Sequence, residues 1–245
     1  NSPKLYNERL TIALFKQDFA YAKSLAIKAH SVEGLFIANF CLGQFNEASG
    51  VVHVLVPFIS GRNLQFMSVI EGIHLVTFNQ LITTTPKKAM ETFKEMVEYI
   101  PQYKVDHLAE LVQLYYDQKY AETISILPSF EEFFNSTLYG HLIFHQLVHE
   151  LKKAILATAV AVYGRIKIER IAEILGISED ETVTLLRQAI LERLIYGRYD
   201  GVEKVFLGQT HLDDVIVTED ILIEARVLRE KIGLALWQKS QVDEV

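Results

Sequence analysis

The chain has 245 residues, half of them hydrophobic, a formal charge of −7 and a single cysteine. That length can bury a full core in one elongated body or two domains. The acid excess argues against a dedicated nucleic-acid binder, which needs a basic face to neutralise phosphates. Cys41 has no internal partner for a disulfide and suits a reducing compartment. The longest apolar runs, residues 51–59 and 154–163, fall short of the roughly 20 residues that cross a bilayer. No stretch resembles a signal peptide, and the first residue is not methionine, as in a fragment or a processed chain. The expectation is a soluble intracellular protein without a membrane or cofactor role.

The first two-thirds predicts helix after helix. Residues 5–29 place Leu10, Leu14, Ala22, Leu25 and Ala29 on one face. Gly34, Ala38, Leu42, Phe45 and Ala48 recur at helical spacing, with a break at Gly43 between two short helices. A glycine–aromatic break of this kind suits helix-turn-helix repeats of the tetratricopeptide sort, although no strict period is visible. Further helices are predicted at 64–77, 87–98 and 104–117, with Thr85–Pro86 opening the second and Pro101 separating it from the third. Short helices at 120–127 and 130–135 are split by Pro128, and a long pair follows at 138–150 and 151–163. Short connections make consecutive helices neighbours, as in a solenoid.

The pattern changes after Gly164. A short amphipathic helix at 168–175, a turn at Gly176 and a second helix at 179–194 form a helix-turn-helix. Ser178 and Glu181 have the spacing of a capping box. Asp200–Gly201 is a tight-turn signal between two β-prone runs. Helix, helix and hairpin predict a winged helix. Its exposed sheet edge, with Arg198, Tyr199, Val202, Val205 and Phe206, is a candidate docking surface for a neighbouring strand. A last helix is predicted at 218–238, capped by Thr218. Ile221, Ala225, Leu228 and Ile232 form a heptad-like stripe, closed by Ala235 and Trp237. Two readings stay open for it: a partner helix fills the stripe, or the helix folds back on its own domain.

Several of these segments resemble one family. Residues 114–121, with Tyr115, Lys119, Tyr120 and Ala121, resemble the entry to PCI domains, which occur in the proteasome lid, the COP9 signalosome and initiation factor three. Residues 167–178 and 191–200 are similar to that family's core helix and wing, and Lys28–Ser31 with Gly34–Leu35 resembles its helical-repeat region. The resemblance implies a mainly α fold: a TPR-like solenoid, a winged helix within a PCI domain, and a C-terminal helix. It divides the chain into a helical-repeat region at 1–103, a PCI domain at 104–210 and a tail at 211–245. The helical part of the PCI domain would end at 163. It also implies a scaffold subunit of cytoplasm and nucleus whose partners are other PCI-domain subunits, held through wing edges and bundled C-terminal helices. Two features depart from the family: Lys152–Lys153 stands where an arginine-rich stretch is usual, and few helical repeats precede the module.

Catalytic patterns are sparse. His141, His145 and His149 have a four-residue spacing that can put imidazoles on one helix face. Zinc needs further convergent ligands, and the glutamate of a His-Glu-x-x-His motif is absent, so a polar stripe is the simpler expectation. Cys41 lies between Phe40 and Leu42 and reads as a buried, inert thiol. Asp213–Asp214 reads as a solvated loop, and the sequence has neither a phosphate-binding glycine loop nor a nucleophile elbow. A winged helix raises the question of DNA, but its second helix opens Glu179, Asp180, Glu181, which phosphate would repel. No catalytic residue, metal or cofactor is expected.

Overall fold

Helix ends recur along this chain in one local form. At Gln17, His30, Gly43, Arg62, Gln118, Gly176 and Arg193 the backbone turns left-handed, with φ between 55° and 71°. Paired hydrogen bonds close these ends: Gly43 N–H donates to the Phe40 carbonyl and Gln44 N–H to that of Asn39. This satisfies the last carbonyls of a helix and sends the chain sharply away. Three of the ends continue alike. Gln17, Gly43 and Gln118 are each followed two residues on by an aromatic (Phe19, Phe45, Tyr120) that opens the next helix. Three residues further sit Ala22, Ala48 and Thr123, all fully buried. The small side chain is where the new helix meets the one before it.

A computed structural model describes residues 3–98 and 105–208. Helices α1 (Pro3–Phe15), α2 (Phe19–Ala29), α3 (Val32–Cys41), α4 (Phe45–Ser60), α5 (Val69–Thr83), α6 (Pro86–Val97) and α7 (Asp106–Tyr116) each pack on the next. Then come α8 (Tyr120–Ile126), a 3-10 turn at Leu127–Phe130, α9 (Glu131–Ser136), a second 3-10 turn at Gly140–Leu142, and α10 (Phe144–Val160). No described helix is long and apolar enough to cross a membrane.

Three expected boundaries in this helical array are corrected. The run at 5–29 is two helices, broken where Gln17 turns left-handed. The helix expected at 64–77 begins at Val69, because Ser68 caps it by accepting the Glu71 N–H at 3.1 Å. Residues 65–67 are instead held as a loop by the buried Glu33 carboxylate. It accepts the N–H groups of Gln65 at 2.7 Å, Phe66 at 2.7 Å and Met67 at 3.0 Å. The pair expected at 138–150 and 151–163 is one helix, α10, because no breaker stands near 150. Its start is delayed by Glu71, whose carboxylate accepts the Tyr139 N–H at 3.0 Å and ties that loop to α5. Burial raises the Glu71 carboxyl above its ordinary range, against hydrogen bonds from Tyr139 and its neighbours that pull it down.

Helix α5 lies at the centre, buried continuously from Glu71 to Leu81. Its His74 stacks on Phe133 at 3.9 Å and bonds through Nδ1 to the Ile70 carbonyl at 2.8 Å.

The C-terminal part of the described chain is β1 (Arg165–Lys167), α11 (Ile168–Leu175), α12 (Glu179–Leu191), β2 (Gly197–Asp200) and β3 (Val205–Gly208). The strands form an antiparallel sheet in the order β1-β3-β2. Strand β1 was not foreseen: three residues are too short to show an alternation. Gly176 (φ +65°) ends α11 where an added Cβ would come within 2.9 Å of the Ala121 Cβ, so glycine also allows α11 to approach α8. Ser178 caps α12 as expected, accepting the Glu181 N–H at 3.2 Å. The Glu181 carboxylate does not return the bond but reaches Lys152. Helix α12 ends at Leu191 rather than 194, because Arg193 takes the left-handed turn.

Replacing Glu33 with alanine orphans three backbone donors, and about 3 kcal/mol of unfolding free energy should be lost. Urea titration measures this, and Glu33→Gln should recover part of it. His74 gives a pH signature. Burial drives its imidazole down to about 4, with the Ile70 bond opposing and the His107 charge assisting. The unfolded chain therefore takes up a proton near pH 6.5, before the folded one does. The stability present above that pH should fall between 6.5 and 4, by up to about 1.4 kcal/mol per pH unit. Urea midpoints across this window should show a shallower dependence in His74→Leu.

Candidate interaction surface

The C-terminal module is joined to the helical array by buried charge. Lys153 of α10 is 1% exposed. Its ammonium reaches Glu150 at 2.9 Å on its own helix and Glu192 at 2.5 Å just beyond α12. Burial pulls this lysine's pKa down, but the hydrogen bonds and charges of Glu192 and Glu150 outweigh it and leave it above the ordinary value. The neighbouring Lys152 reaches Glu181, at the other end of α12, at 2.6 Å. Two adjacent lysines thus hold both ends of α12. An open groove of about 550 Å³ runs beside this joint, lined by the α3–α4 turn, the end of α5, Glu150, Glu192 and Leu194.

These pairs alter the electrostatics expected of α12. Glu181 and Glu192 are matched by Lys152 and Lys153, and Glu179 lies 3.1 Å from Lys204. Of the acids that argued against nucleic acid, Glu179 and Glu181 are therefore matched by lysines of this chain. The outward face instead presents Arg187, Leu191 and Arg198, with the Arg187 guanidinium 5.4 Å over the Tyr199 ring.

The five expected edge residues separate. Arg198 and Tyr199 lie on β2, the outer strand, and Val202 is 95% exposed in the turn after it. Val205 and Phe206 do not belong to an edge. They lie in β3, which pairs on both sides, with their side chains in the core at 3% and 1% exposure. The hairpin was legible, but which strand is central depends on β1, contributed from some 40 residues upstream. Asp200 makes the turn by accepting the Val202 and Glu203 N–H groups, and those bonds hold its carboxyl below the usual range. Ile221, Ala225, Leu228, Ile232 and Trp237 lie outside the described residues, as do Asp213 and Asp214.

The histidines do not share one helix. His141 sits in the 3-10 turn with Nδ1 bonded to the Thr137 carbonyl, while His145 is on α10, 4.0 Å from Glu131. Among the described residues no group of three metal-ligating side chains converges. Cys41 ends α3, partly exposed. Its thiol is driven up to about 12 by burial, with the Glu71 charge adding to it, which leaves no reactive thiolate near neutral pH.

This order of elements on the sequence has a counterpart. Residues 118–207 match the PCI domain family. The match runs from the left-handed turn at Gln118 into β3, so the matched segment includes α8 to α12, the lysine joint and nearly all of the sheet. PCI domains typically occur in subunits of multisubunit complexes. No curated protein sequence matches the chain.

Removing the ammonium in Lys153→Ala leaves two facing carboxylates. Glu192 is about half exposed and can rehydrate, so the expected loss is about 2 kcal/mol rather than the larger cost of a fully buried orphan. Adding Glu192→Gln should restore part of that stability, a coupling that a double-mutant cycle in urea measures.

Proposed function

We propose that this protein is a non-catalytic scaffold subunit of a PCI complex, most similar to subunit one of the COP9 signalosome and its proteasome-lid counterpart. In this reading helices α1–α6 belong to a TPR-like solenoid, and β1, α11, α12, β2 and β3 form a winged helix. The observation that carries the proposal is the sheet order. With β3 central and β1 on one side, β2 leaves one edge unpaired among the described residues. Its unfilled backbone donors and acceptors fit a strand from a neighbouring PCI subunit. The 218–238 helix predicted from the sequence supplies a second contact, its apolar stripe filled by a partner helix. The chain works in cytoplasm and nucleus, and its part in cullin deneddylation is assembly rather than chemistry.

A second reading, an RNA- or DNA-associated PCI adaptor, gains from the outward Arg187 and Arg198 and the internal pairing of the α12 acids. A gel shift titrated with salt separates the two readings. Retarded nucleic acid with a steep salt dependence favours the adaptor.

Affinity purification of the tagged chain with mass spectrometry should recover other PCI subunits. Tyr199→Pro, which places a proline in the β2 edge strand, should lower that recovery at least fivefold while leaving the helical circular dichroism intact. Deleting residues 218–245 should also release the complex from a still-folded chain. Undiminished recovery in both variants would overturn the docking role.

A further inference from the structure

The outer face of α12 and β2 combines features that an ordinary solvated surface lacks. Leu191, 82% exposed, lines a shallow hollow of about 510 Å³ with Ile190 and Tyr199, and Val202 in the nearby turn is 95% exposed. Arg187 and Arg198 line the same hollow. Elsewhere on this module the basic side chains Arg165, Arg170 and Lys204 are matched by Glu203, Glu173 and Glu179. Arg187 and Arg198 form no such ion pair among the described residues, and Arg187 rests on the Tyr199 ring instead. An apolar floor beside two guanidinium groups outside any close ion pair, although the Arg198 charge also acts on Asp200, calls for an occupant that is both aliphatic and acidic.

The chain contains such a segment close by. Residues 213–224 carry Asp213, Asp214, Glu219, Asp220 and Glu224, no lysine or arginine, and six of Val, Ile and Leu. The described chain ends at Gly208, which pairs with Gly197, itself on the rim of the hollow. Asp213 is five residues further, within roughly 17 Å of extended chain. So short a tether gives an effective concentration in the millimolar range.

We propose that residues 213–224 of this same chain dock on the α12–β2 face, their carboxylates on Arg187 and Arg198 and their aliphatic side chains on Ile190, Leu191 and Tyr199. This goes beyond the scaffold reading and does not depend on it: the contact is intramolecular and needs no complex. It places the chain's own acidic segment beside the sheet edge, where it competes with any partner that uses that face.

The test uses the full-length chain carrying Arg187→Lys, which keeps the charge and supplies an amine that carbodiimide can join to a carboxylate. Mass spectrometry should find position 187 linked to a carboxylate within 213–224. The yield should not change over a tenfold range of protein concentration, and should drop at least fivefold in about 0.5 M salt. It should drop as much when Asp213, Asp214, Glu219 and Asp220 are all changed to their amides. The Lys152–Glu181 pair, 2.6 Å apart, is the internal control for folded protein. Arg198→Lys repeats the test independently. Control links without a 213–224 link in either variant would overturn the proposal. So would links that rise with concentration and join isotopically distinct copies, which would make the occupant a second molecule. Because no partner enters the reaction, the result is separate from the fate of the scaffold reading.

Discussion

One buried ammonium holds the two halves of this structure in register. Helix α10 packs against α5, α8, α9, α11 and α12, and Lys153 extends from it to the far end of α12. A lysine can be buried only where carboxylates meet it, and Glu150 and Glu192 do so from two different elements. The pair is therefore as much a specification as a source of stability. If α12 shifted along α10 by a turn, Lys153 would keep only Glu150 of its own helix and Glu192 would lose its cation. Lys152 with Glu181 repeats the constraint at the other end of α12. The sheet inherits this fixed position through the short connection from α12 to β2.

The same device recurs in the helical array. Glu33 holds a loop of three successive amides, and Glu71 ties the start of α5 to the segment ahead of α10. In each case a carboxylate inside the core satisfies backbone that has left a helix and has no other partner. Buried charge in this protein organises the irregular segments, while apolar packing organises the helices. Glu71, His74 and Cys41, whose titration burial perturbs, accordingly lie in the helical core. Perturbed groups often mark chemistry, but here each is explained by its packing.

For docking, the charge pattern matters more than the net charge. The acids of α12 look repulsive in the sequence, yet Lys152, Lys153 and Lys204 pair with Glu181, Glu192 and Glu179 and leave an arginine-flanked apolar face outward. The match of residues 118–207 to the PCI family covers both the joint and this face. The module presents a sheet edge and an adjacent helix surface side by side.

Much of this was legible in the chain itself. Glycine and proline signals, Ser178 as a cap and the Asp200–Gly201 turn are local, and local rules placed α11, α12 and the hairpin close to where they lie. The left-handed break at Gly43 was visible because glycine advertises it. The equivalent break at Gln17 was hidden, because glutamine does not advertise a left-handed turn, whereas the one at Gln118 falls between the helices expected at 104–117 and 120–127. What only the tertiary structure decided is non-local. Strand β1 makes β3 central and removes Val205 and Phe206 from the edge. Lys153 and Glu192 meet across 39 residues, turning a departure from the family pattern into the joint of the module. Secondary structure is set mainly by neighbours in sequence, but which strand is an edge and which charge is spent depend on what packs beside them.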